Sequence, residues 1–384
     1  MNDSKVVVLG GGVGGVVAAI ALRKRLPAAH RVVVIDRSSS HLFSPSLLWL
    51  MTGSRSVSRI TRPVERLSRR GIEVIQEEIV EIDPEKREVR LGDGQTLEAD
   101  YLIISLGADL DLGAIPGLAE TGHCFYNLAG AESLHDALAT FDGGRIVVLT
   151  AAPAYKCPAA PYEAAMLLKD FCKKRGLGGR TQVDLYAAEP GPMGVTGPEV
   201  SAAVRQMVED SAIGYYPEHQ VSHVDAATRT IGFDNGTKVA FDLLAYVPPH
   251  RPPKVVSDTG LVDETGWVPV DRHTMETNHK GVYAVGDVTR IPLAVGKPLP
   301  MAGVFAERQA TVVAENVATA ITGDGGPARF DGNGECFIET GSGRAGFGRG
   351  NFYAEPSPQI TLHQPSRRWH FGKVMFEKNW LRRF

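Results

Sequence analysis

The chain begins with an apolar run, a glycine-rich turn and an Ala/Val-rich stretch, and this order restricts the fold more than any other feature. Residues 5–9 predict a buried strand. Gly10, Gly12 and Gly15 follow directly in a G-x-G-x-x-G pattern. In a dinucleotide-binding unit the first glycine makes a tight turn, the second lets backbone approach a pyrophosphate, and the third lets helix and strand pack closely. The pattern predicts a Rossmann-like unit.

A second strand with a terminal acid supports this interpretation. Residues 31–35 are an apolar run, and Asp36 stands at its end, about 20 residues beyond the glycines, where an acid that binds ribose is expected. The alternative is a glycine-rich turn without a ligand. Because strand, turn, helix, strand and acid occur in order, we predict a dinucleotide site.

Two later strands bear on which dinucleotide binds. Residues 99–108 end in a small-residue turn that contains Gly107, and residues 280–287 end in Gly286 and Asp287. Both segments resemble the remaining fingerprints of flavoproteins that have two dinucleotide-binding domains. The resemblance implies FAD rather than NAD, with Asp287 on the ribityl hydroxyls and Gly286 allowing close backbone approach.

A loop after the second strand is a further candidate for flavin contact. Residues 41–46 read HLFSPS, and in flavoproteins of this kind the matching loop often lies near the flavin. This makes Pro45 a candidate neighbour of the cofactor. The alternative is an ordinary turn before a helix at 47–51.

A second strand-rich unit lacks the glycines of the first. Residues 145–149 predict a buried strand, but TAAPAYK follows, and then Cys157. Pro153 and Pro158 have no N–H group to donate to a phosphate. The segment is therefore interpreted as a former nucleotide-binding unit in which a thiol stands where a second nucleotide would lie.

These patterns together predict an α/β protein with two Rossmann-like domains and a C-terminal amphipathic segment that associates with a membrane. The predicted FAD-binding domain is discontinuous, at residues 1–109 and 251–325. The second Rossmann-like domain spans 110–250, and the C-terminal segment spans 326–384.

The four cysteines form no C-x-x-C pair, which argues against a zinc site or a disulfide scaffold, so no metal is predicted. Cys157 stands at a strand-to-helix junction beside Lys156, where a helix N-terminus and a positive charge favour the thiolate. Glu163 is a candidate acid or base for it. Cys172 is predicted to pack as a small apolar side chain.

Three segments resemble sulfide:quinone oxidoreductases and the related sulfide dehydrogenase subunit of flavocytochrome c. They are residues 155–163 (YKCPAAPYE), the strand around Cys336, and residues 369–378. The resemblance implies that Cys157 and Cys336 form a redox pair beside the flavin, that Cys124 matches a third cysteine, and that Glu163 matches a family acid. It also implies oxidation of sulfide to sulfane sulfur or polysulfide, with electrons passing through FAD to a membrane quinone.

The C-terminal segment has an aromatic and basic pattern. The aromatic residues recur at helical spacing: Trp369, Phe376, Trp380 and Phe384. The basic residues around them are Arg367, Arg368, Lys373, Lys378, Arg382 and Arg383. This pattern is typical of a helix that lies in a bilayer interface. The alternative is a helix that docks on the protein's own core or on a dimer partner.

Charge and hydropathy limit which partners and which cellular location we expect. The net charge of −3 does not favour nucleic acid as a partner. The absence of an apolar run of 18 residues predicts no membrane-spanning helix, and the first residues resemble no signal peptide. We therefore expect a peripheral protein on the cytoplasmic side of the cell membrane, with a homo-oligomer left open.

Three alternatives remain open from the sequence. A flavocytochrome c-type subunit would pass its electrons to a cytochrome, but it would need export. A type 2 NADH:quinone dehydrogenase shares the FAD motifs and a membrane tail, but it would need the missing second glycine motif. A flavin-binding protein with inert thiols would show no turnover.

Overall fold

The computed structural model describes residues 3–384. Its strands, in chain order, are β1 (Lys5–Leu9), β2 (Arg31–Asp36), β3 (Ser40–Leu42), β4 (Thr61–Pro63), β5 (Glu73–Gln76), β6 (Ile79–Asp83), β7 (Glu88–Leu91), β8 (Thr96–Glu98), β9 (Tyr101–Ile104), β10 (Asp109–Leu110), β11 (His123–Cys124), β12 (Gly144–Thr150), β13 (Thr181–Ala187), β14 (Gly214–Tyr216), β15 (Val221–Asp225), β16 (Thr230–Phe233), β17 (Lys238–Ala240), β18 (Leu243–Val247), β19 (His250–Arg251), β20 (Val268–Pro269), β21 (Val282–Ala284), β22 (Thr289–Arg290), β23 (Asn333–Gly341), β24 (Arg344–Asn351) and β25 (Gln359–Ser366).

The helices are α1 (Val13–Arg25), α2 (Leu47–Met51), α3 (Val57–Ile60), α4 (Leu118–Thr121), α5 (Leu128–Thr140), α6 (Ala160–Lys174), α7 (Pro198–Asp210), α8 (Lys254–Ser257), α9 (Gly303–Thr322) and α10 (Arg367–Leu381). In the described part of the chain, none of them has both the length and the hydrophobicity that crossing a membrane requires.

The first sheet is parallel and has the order β21-β9-β1-β2-β5. Its central strand, β1, is apolar from Val6 to Leu9 because both faces of the sheet are covered. Val6 and Val8 lie in the apolar cluster that also contains residues of α1 and α9, whereas Val7 and Leu9 lie in the cluster formed with β7 and α8. The G-x-G-x-x-G turn joins β1 to α1 at the carboxyl end of this sheet.

The second sheet is also parallel, in the order β11-β18-β12-β13-β14. The α/β class with two parallel-sheet units that the sequence predicted is therefore confirmed. Strand β21 returns to the first sheet after the second sheet is complete, as a discontinuous domain requires. The domain boundaries stay predictions.

The C-terminal segment forms a three-stranded antiparallel sheet, β23-β24-β25, followed by α10. Strand β23 packs against α6, and α10 packs across β24. The helix starts at a Ser366 cap, whose hydroxyl accepts a hydrogen bond from the Trp369 N–H at 3.4 Å. Through these contacts the C-terminal segment covers the region between the two parallel sheets.

The aromatic residues of α10 turn toward the protein, as the alternative of a helix docked on the protein's own core requires, and membrane association of this segment stays a prediction. Trp380 is only 2% exposed and lies 6.1 Å from the Phe43 ring, and the Trp369 ring stacks on Phe347 at 4.4 Å. The protein's own aromatic surface covers these rings, which leaves Trp380 buried and Trp369, Phe376 and Phe384 half-buried. The outward face carries different side chains, namely Arg367, Arg368, Phe371, Lys378 and Arg382.

Candidate active site

The glycine turn has the shape that a bound pyrophosphate requires. Gly10 has a φ of +99°, and a Cβ there would lie 2.6 Å from the Ser105 carbonyl oxygen. A Cβ on Gly15 would lie 1.8 Å from the carbonyl oxygen of Gly10, so helix and strand approach as closely as the sequence predicted. A Cβ on Gly12 would meet no atom within 4 Å. This backbone therefore borders open space, where a phosphate could lie against it.

The acid at the end of β2 and the following loop both contact this turn. Asp36 accepts hydrogen bonds from the Gly11 N–H and, at 2.6 Å, from the Ser38 N–H. Pro45 is half-buried in a short 3₁₀ turn, and the structure gives it no special contact with the glycines. The loop instead reaches the turn through His41, whose Nδ1 lies 2.8 Å from the Gly11 carbonyl oxygen.

The two remaining dinucleotide fingerprints also have suitable geometry. A Cβ on Gly107 would meet no atom within 4 Å, and the Gly286 N–H donates to the Gln309 side chain at 2.7 Å. The Asp287 carboxylate is half-buried, and no hydrogen-bond partner for it is found among residues 3–384. Burial raises the pKa of Asp287, and the Lys156 charge opposes that shift. An unpartnered carboxyl group beside open backbone fits a ligand that brings hydroxyl groups, as a flavin dinucleotide does.

Cys157 and Cys336 line one cavity of about 60 Å³. Both are free thiols, one in the turn between β12 and α6, the other on β23. The cavity wall is mostly apolar and includes Met193 and Ile338. The fold thus brings together two of the sequence-predicted catalytic residues from positions 179 residues apart.

Cys157 is held in an uncommon backbone conformation by its neighbours. Its φ is +51°, a left-handed value that costs a non-glycine residue free energy unless the surroundings enforce it. Its N–H donates to the Met301 carbonyl oxygen at 2.6 Å. Its own carbonyl oxygen accepts from the Ala160 N–H at 2.9 Å and from the Tyr126 hydroxyl at 3.1 Å. These bonds fix the thiol between the glycine-bearing domain and α6.

The thiol of Cys157 is not activated in the way that the sequence predicted. Burial raises its pKa to about 12, the Glu163 charge adds to the rise, and Lys373 opposes it. Burial also raises the pKa of Cys336 well above its ordinary value. The Lys156 ammonium group lies 3.3 Å from the Ala108 carbonyl oxygen, and α6 starts only at Ala160. Desolvation in an apolar cavity therefore raises the pKa of Cys157 by more than the helix N-terminus and Lys156 were expected to lower it.

Glu163 lies behind the two thiols in a buried ion pair. Its Oε1 accepts from the Lys373 ammonium group at 2.5 Å and from the Glu339 backbone N–H at 2.8 Å. Glu163 is 2% exposed and Lys373 is 5% exposed. The charges of this pair act on both Cys157 and Cys336. The sequence predicted Glu163 as an acid or base but missed Lys373, which it assigned to a basic membrane-facing surface.

A second carboxylate continues the cluster toward the surface. Glu339 is 1% exposed, and its Oε1 and Oε2 lie 2.9 and 3.0 Å from the Nδ1 of His370, a half-buried residue on α10. Burial raises the pKa of Glu339. Burial lowers the pKa of Lys373, but the charges of Glu163 and Glu339 outweigh it, so the net shift is upward. Sequence reasoning missed Glu339 and His370 because nothing local marks either residue.

Cys124 does not join this cavity in the structure. It lies on β11, is 5% exposed, and is not among the residues that line the space shared by Cys157 and Cys336. Burial raises its pKa to about 11. Cys172 is fully buried on α6, as the sequence predicted for a small apolar side chain.

The position of a second nucleotide is filled by side chains. Glu189 follows β13 and is buried. Its carboxylate accepts from the Thr150 hydroxyl at 2.7 Å, from the Tyr162 hydroxyl at 2.7 Å and from the Tyr155 hydroxyl. An acid at the end of this second strand would otherwise be free to bind a ribose. Here three hydroxyl donors satisfy it, in agreement with the missing glycine motif.

Comparison with known proteins agrees with this geometry. The model of the pyridine nucleotide-disulphide oxidoreductase family matches residues 4–310. The chain belongs to this family. Membership confirms the predicted oxidoreductase class and implies a flavin cofactor. The match covers both parallel-sheet units and ends within α9, before the sheet that carries Cys336.

Several individual proteins of known name are similar to this chain over most of its length. A sulfide-quinone reductase of Aquifex aeolicus (strain VF5) is 29% identical over 400 aligned residues, which cover 98% of this chain and 90% of the relative. The mitochondrial sulfide:quinone oxidoreductase of Mus musculus is 24% identical, covering 96% of this chain and 82% of the relative. The X-ray structure of the sulfide:quinone oxidoreductase from Aquifex aeolicus matches with a TM-score of 0.88 at 26% identity, covering 98% of this chain and 90% of that one. The resemblance predicted from the sequence is thereby confirmed.

Proposed function

We propose that this protein oxidises sulfide at Cys157 and Cys336 with the help of FAD and passes the electrons to a quinone. The observation that carries the proposal is the shared apolar cavity of the two thiols. Pro300, Ala302 and Phe305 line both this cavity and the space beside Gly286 of the dinucleotide fingerprint, which supports a cavity next to the cofactor. The names of the similar relatives support sulfide and quinone as the substrates.

The chain's own residues account for the sulfur chemistry. In the oxidised enzyme Cys157 and Cys336 are joined, either directly by a disulfide or through a bridging sulfur. Hydrosulfide attacks one sulfur and forms a persulfide there, while the S–S bond breaks and the other cysteine leaves as a thiolate. The apolar wall excludes water, which protects the persulfide from side reactions. A second hydrosulfide then attacks the outer sulfur of the persulfide and leaves with it as polysulfide, and both cysteines are left as thiolates that lose two electrons when their link re-forms.

FAD, when bound, supplies the two-electron transfer from the thiols to the acceptor. Gly12 and Gly107 present open backbone for its phosphates and ring system, and Asp287 presents a carboxyl group for its ribityl hydroxyls. Asp36 holds the turn through Gly11 and is the candidate for the ribose. Pro45 stays a candidate neighbour.

Cysteine substitution tests this proposal. Purified Cys157→Ser and Cys336→Ser are each expected to lose flavin bleaching by sulfide under anaerobic conditions while they retain bound flavin. Cys172→Ser is the matched control, because Cys172 lies on α6 but does not line the cavity. Bleaching that persists in both cavity variants would refute the assignment of these thiols.

NADH is the alternative electron donor, and the filled second nucleotide position argues against it. The hydroxyls around Glu189 leave no acid free for a ribose. Anaerobic titration with NADH is expected to reduce the flavin far more slowly than sulfide does. Faster reduction by NADH would favour a type 2 NADH dehydrogenase. Adding a soluble quinone or cytochrome c to the sulfide-reduced enzyme then identifies the acceptor.

A peripheral location at the cell membrane completes the proposal, since a quinone acceptor resides in the bilayer. The outward face of α10 supports it. Phe371 is 64% exposed, and Arg367, Lys378 and Arg382 stand near it on the same side of the helix. One apolar ring among basic side chains fits a headgroup region of anionic lipid.

A further inference from the structure

The stretch of chain that carries Cys157 is an irregular connection, which we call the thiol segment. It covers residues 151–159, between the end of β12 and the start of α6. From residue 152 to residue 156, no hydrogen bond between backbone groups is found in the described part of the chain. Cys157 itself has a left-handed φ of +51°, which a non-glycine residue keeps only where its surroundings enforce it. Side-chain contacts therefore have to hold the middle of the segment.

Tyr155 is the buried residue in the middle of the thiol segment. Its side chain is 7% exposed, whereas Pro153 and Ala154 beside it are exposed. The Tyr155 hydroxyl donates to the carboxylate of Glu189, which is buried to the same degree. A hydrogen bond to a buried carboxylate is charge-assisted, and little water is present to replace it. This bond therefore ties the segment firmly to the second sheet.

The Glu189 carboxylate is an anchor for both ends of the segment as well. It accepts from the hydroxyl of Thr150, the last residue of β12, at 2.7 Å, and from the hydroxyl of Tyr162, in the first turn of α6, at 2.7 Å. The Thr150 hydroxyl also accepts from the Ala188 N–H at 3.1 Å, which holds the backbone next to Glu189 against β12. Hydroxyl groups that precede, interrupt and follow the thiol segment thus converge on one carboxylate.

A second tyrosine connects this anchor to Cys157. Tyr126, between β11 and α5, packs edge-on against the Tyr155 ring, with the ring centroids 6.5 Å apart. Its hydroxyl donates to the Cys157 carbonyl oxygen at 3.1 Å. From the other side, the Cys157 N–H donates to the Met301 carbonyl oxygen at 2.6 Å. The backbone of Cys157 is therefore held between two contacts, and one of them packs on Tyr155.

We propose that Tyr155, anchored on Glu189, is a positioning residue that holds the Cys157 thiol in the cavity shared with Cys336. Resting on the proposed function, this role gives the acid that follows β13 a task in sulfide oxidation. In a nucleotide-binding unit, an acid at this strand end binds ribose hydroxyls. Here hydroxyls of the protein occupy that acid, which fixes the thiol segment instead. Reactions between held groups depend steeply on their relative position, so a loosened segment slows the sulfur chemistry.

Tyr155→Phe tests this role, since it removes the hydroxyl and keeps the ring. For the flavin-bound enzyme, the limiting rate of anaerobic bleaching at saturating sulfide is expected to fall by about tenfold or more, because a displacement of about 1 Å can cost on the order of a hundredfold. The half-saturating sulfide concentration is expected to stay nearly unchanged, because Tyr155 does not line the cavity. Tyr162→Phe is the matched control. It removes a hydroxyl from the same carboxylate, but helix α6 holds Tyr162 in place, so the limiting rate is expected to stay unchanged.

Alkylation provides a second measurement that does not depend on sulfide oxidation. In the reduced, flavin-bound protein at fixed pH, iodoacetamide is expected to label Cys157 about tenfold faster or more in Tyr155→Phe, because a hydrogen bond to a charged group holds the segment closed by roughly that factor. Cys172 is the internal reference, because it is fully buried on α6. Its labelling is expected to stay unchanged, since only a general loss of stability would expose it.

The outcomes separate this role from general stability and from the proposed function. An unchanged limiting rate in Tyr155→Phe refutes the role, and so does equal slowing by Tyr162→Phe. Labelling of Cys157 and Cys172 that rises by the same factor also refutes it. If Tyr155→Phe does not fold, Tyr126→Phe removes the adjacent bond to Cys157, and full-rate bleaching by that variant refutes the role. If sulfide does not bleach the unsubstituted enzyme, the proposed function fails, whereas the labelling rate of Cys157 still decides whether Tyr155 holds the segment.

Discussion

The ammonium group of Lys373 on α10 donates to the carboxylate of Glu163 on α6 across 210 positions of sequence. Both side chains are buried, and both act on the paired thiols. The helix that the sequence assigned to a bilayer surface therefore supplies a charge to the interior of the candidate active site.

Loss of this lysine is expected to destabilise the fold strongly. Lys373→Met leaves Glu163 charged and buried without its partner, which typically costs about 3–5 kcal/mol of unfolding free energy. Lys378→Met is the matched control, because Lys378 is exposed on the same helix, and it is expected to cost about 0.5 kcal/mol or less. Denaturant unfolding followed by fluorescence measures both. Equal stability of the two variants would contradict the buried ion pair.

The reactivity of Cys157 in the reduced protein is expected to depend steeply on pH. Only the thiolate reacts with iodoacetamide, and burial raises the pKa of Cys157 to about 12. The alkylation rate is therefore expected to rise roughly tenfold per pH unit from about pH 8 to about pH 11. Mass spectrometry of the peptide that contains Cys157 gives the rate. A plateau below pH 8 would instead indicate the activated thiol that the sequence suggested.

Two glycines of the same turn are expected to respond differently to alanine. Gly15→Ala places a Cβ 1.8 Å from a backbone oxygen, so we expect a loss of about 1–3 kcal/mol or failure to fold. Gly12→Ala meets no protein atom within 4 Å, so we expect a folded protein with reduced flavin content. Thermal unfolding and the ratio of flavin to protein absorbance separate the two effects. Full flavin content in Gly12→Ala would show that the cofactor does not approach this backbone.

The two faces of α10 are expected to have separate roles. Phe371→Ser should weaken binding to anionic lipid vesicles and leave stability unchanged, because this ring is 64% exposed. Trp380→Ala should cost about 3–5 kcal/mol of stability, because this ring is buried and its Nε1 donates to His41 at 2.8 Å. Vesicle co-sedimentation and denaturant unfolding measure the two quantities. Val80→Ser, at an exposed apolar residue elsewhere, is the control for vesicle binding.

Cys124 is expected to be dispensable for the first reduction of the flavin. It is buried on β11 and lies outside the cavity shared by Cys157 and Cys336. Cys124→Ala should therefore bleach with sulfide as the unsubstituted enzyme does. Complete loss of bleaching, with flavin still bound, would restore the third cysteine to the mechanism that the resemblance implied.

The features most easily predicted from the sequence are those that depend on local backbone conformation. Gly10, Gly12 and Gly15 lie close together in the turn between β1 and α1 and in the first turn of α1, so their spacing alone indicates the cradle. The absence of a G-x-G-x-x-G pattern after β12 is equally visible in the local sequence, and it predicted that no second nucleotide binds there. Cys157 and Cys336 could be paired only through resemblance to a family, because 179 positions separate them.

The charged cluster could not be predicted, and the reason is physical. Lys373 lies among other basic residues, so its neighbours in sequence suggest a solvated face. Its partners lie on α6 and β23, and only tertiary packing reveals that they face the same side chain. Helical periodicity located the aromatic face of α10 correctly but could not distinguish a bilayer from the protein's own Phe43 and Phe347 as its cover.

The dependence of the thiol site on α10 has a consequence for biosynthesis. Cys157 and Glu163 are translated long before Glu339 and Lys373, which follow Glu163 by 176 and 210 residues. While the nascent chain is still on the ribosome, the early domains can fold, but their buried carboxylate has no counter-charge and their reactive thiol has no partner. The buried ion pair of Glu163 and the cavity that Cys157 shares with Cys336 are therefore completed only when synthesis has passed α10.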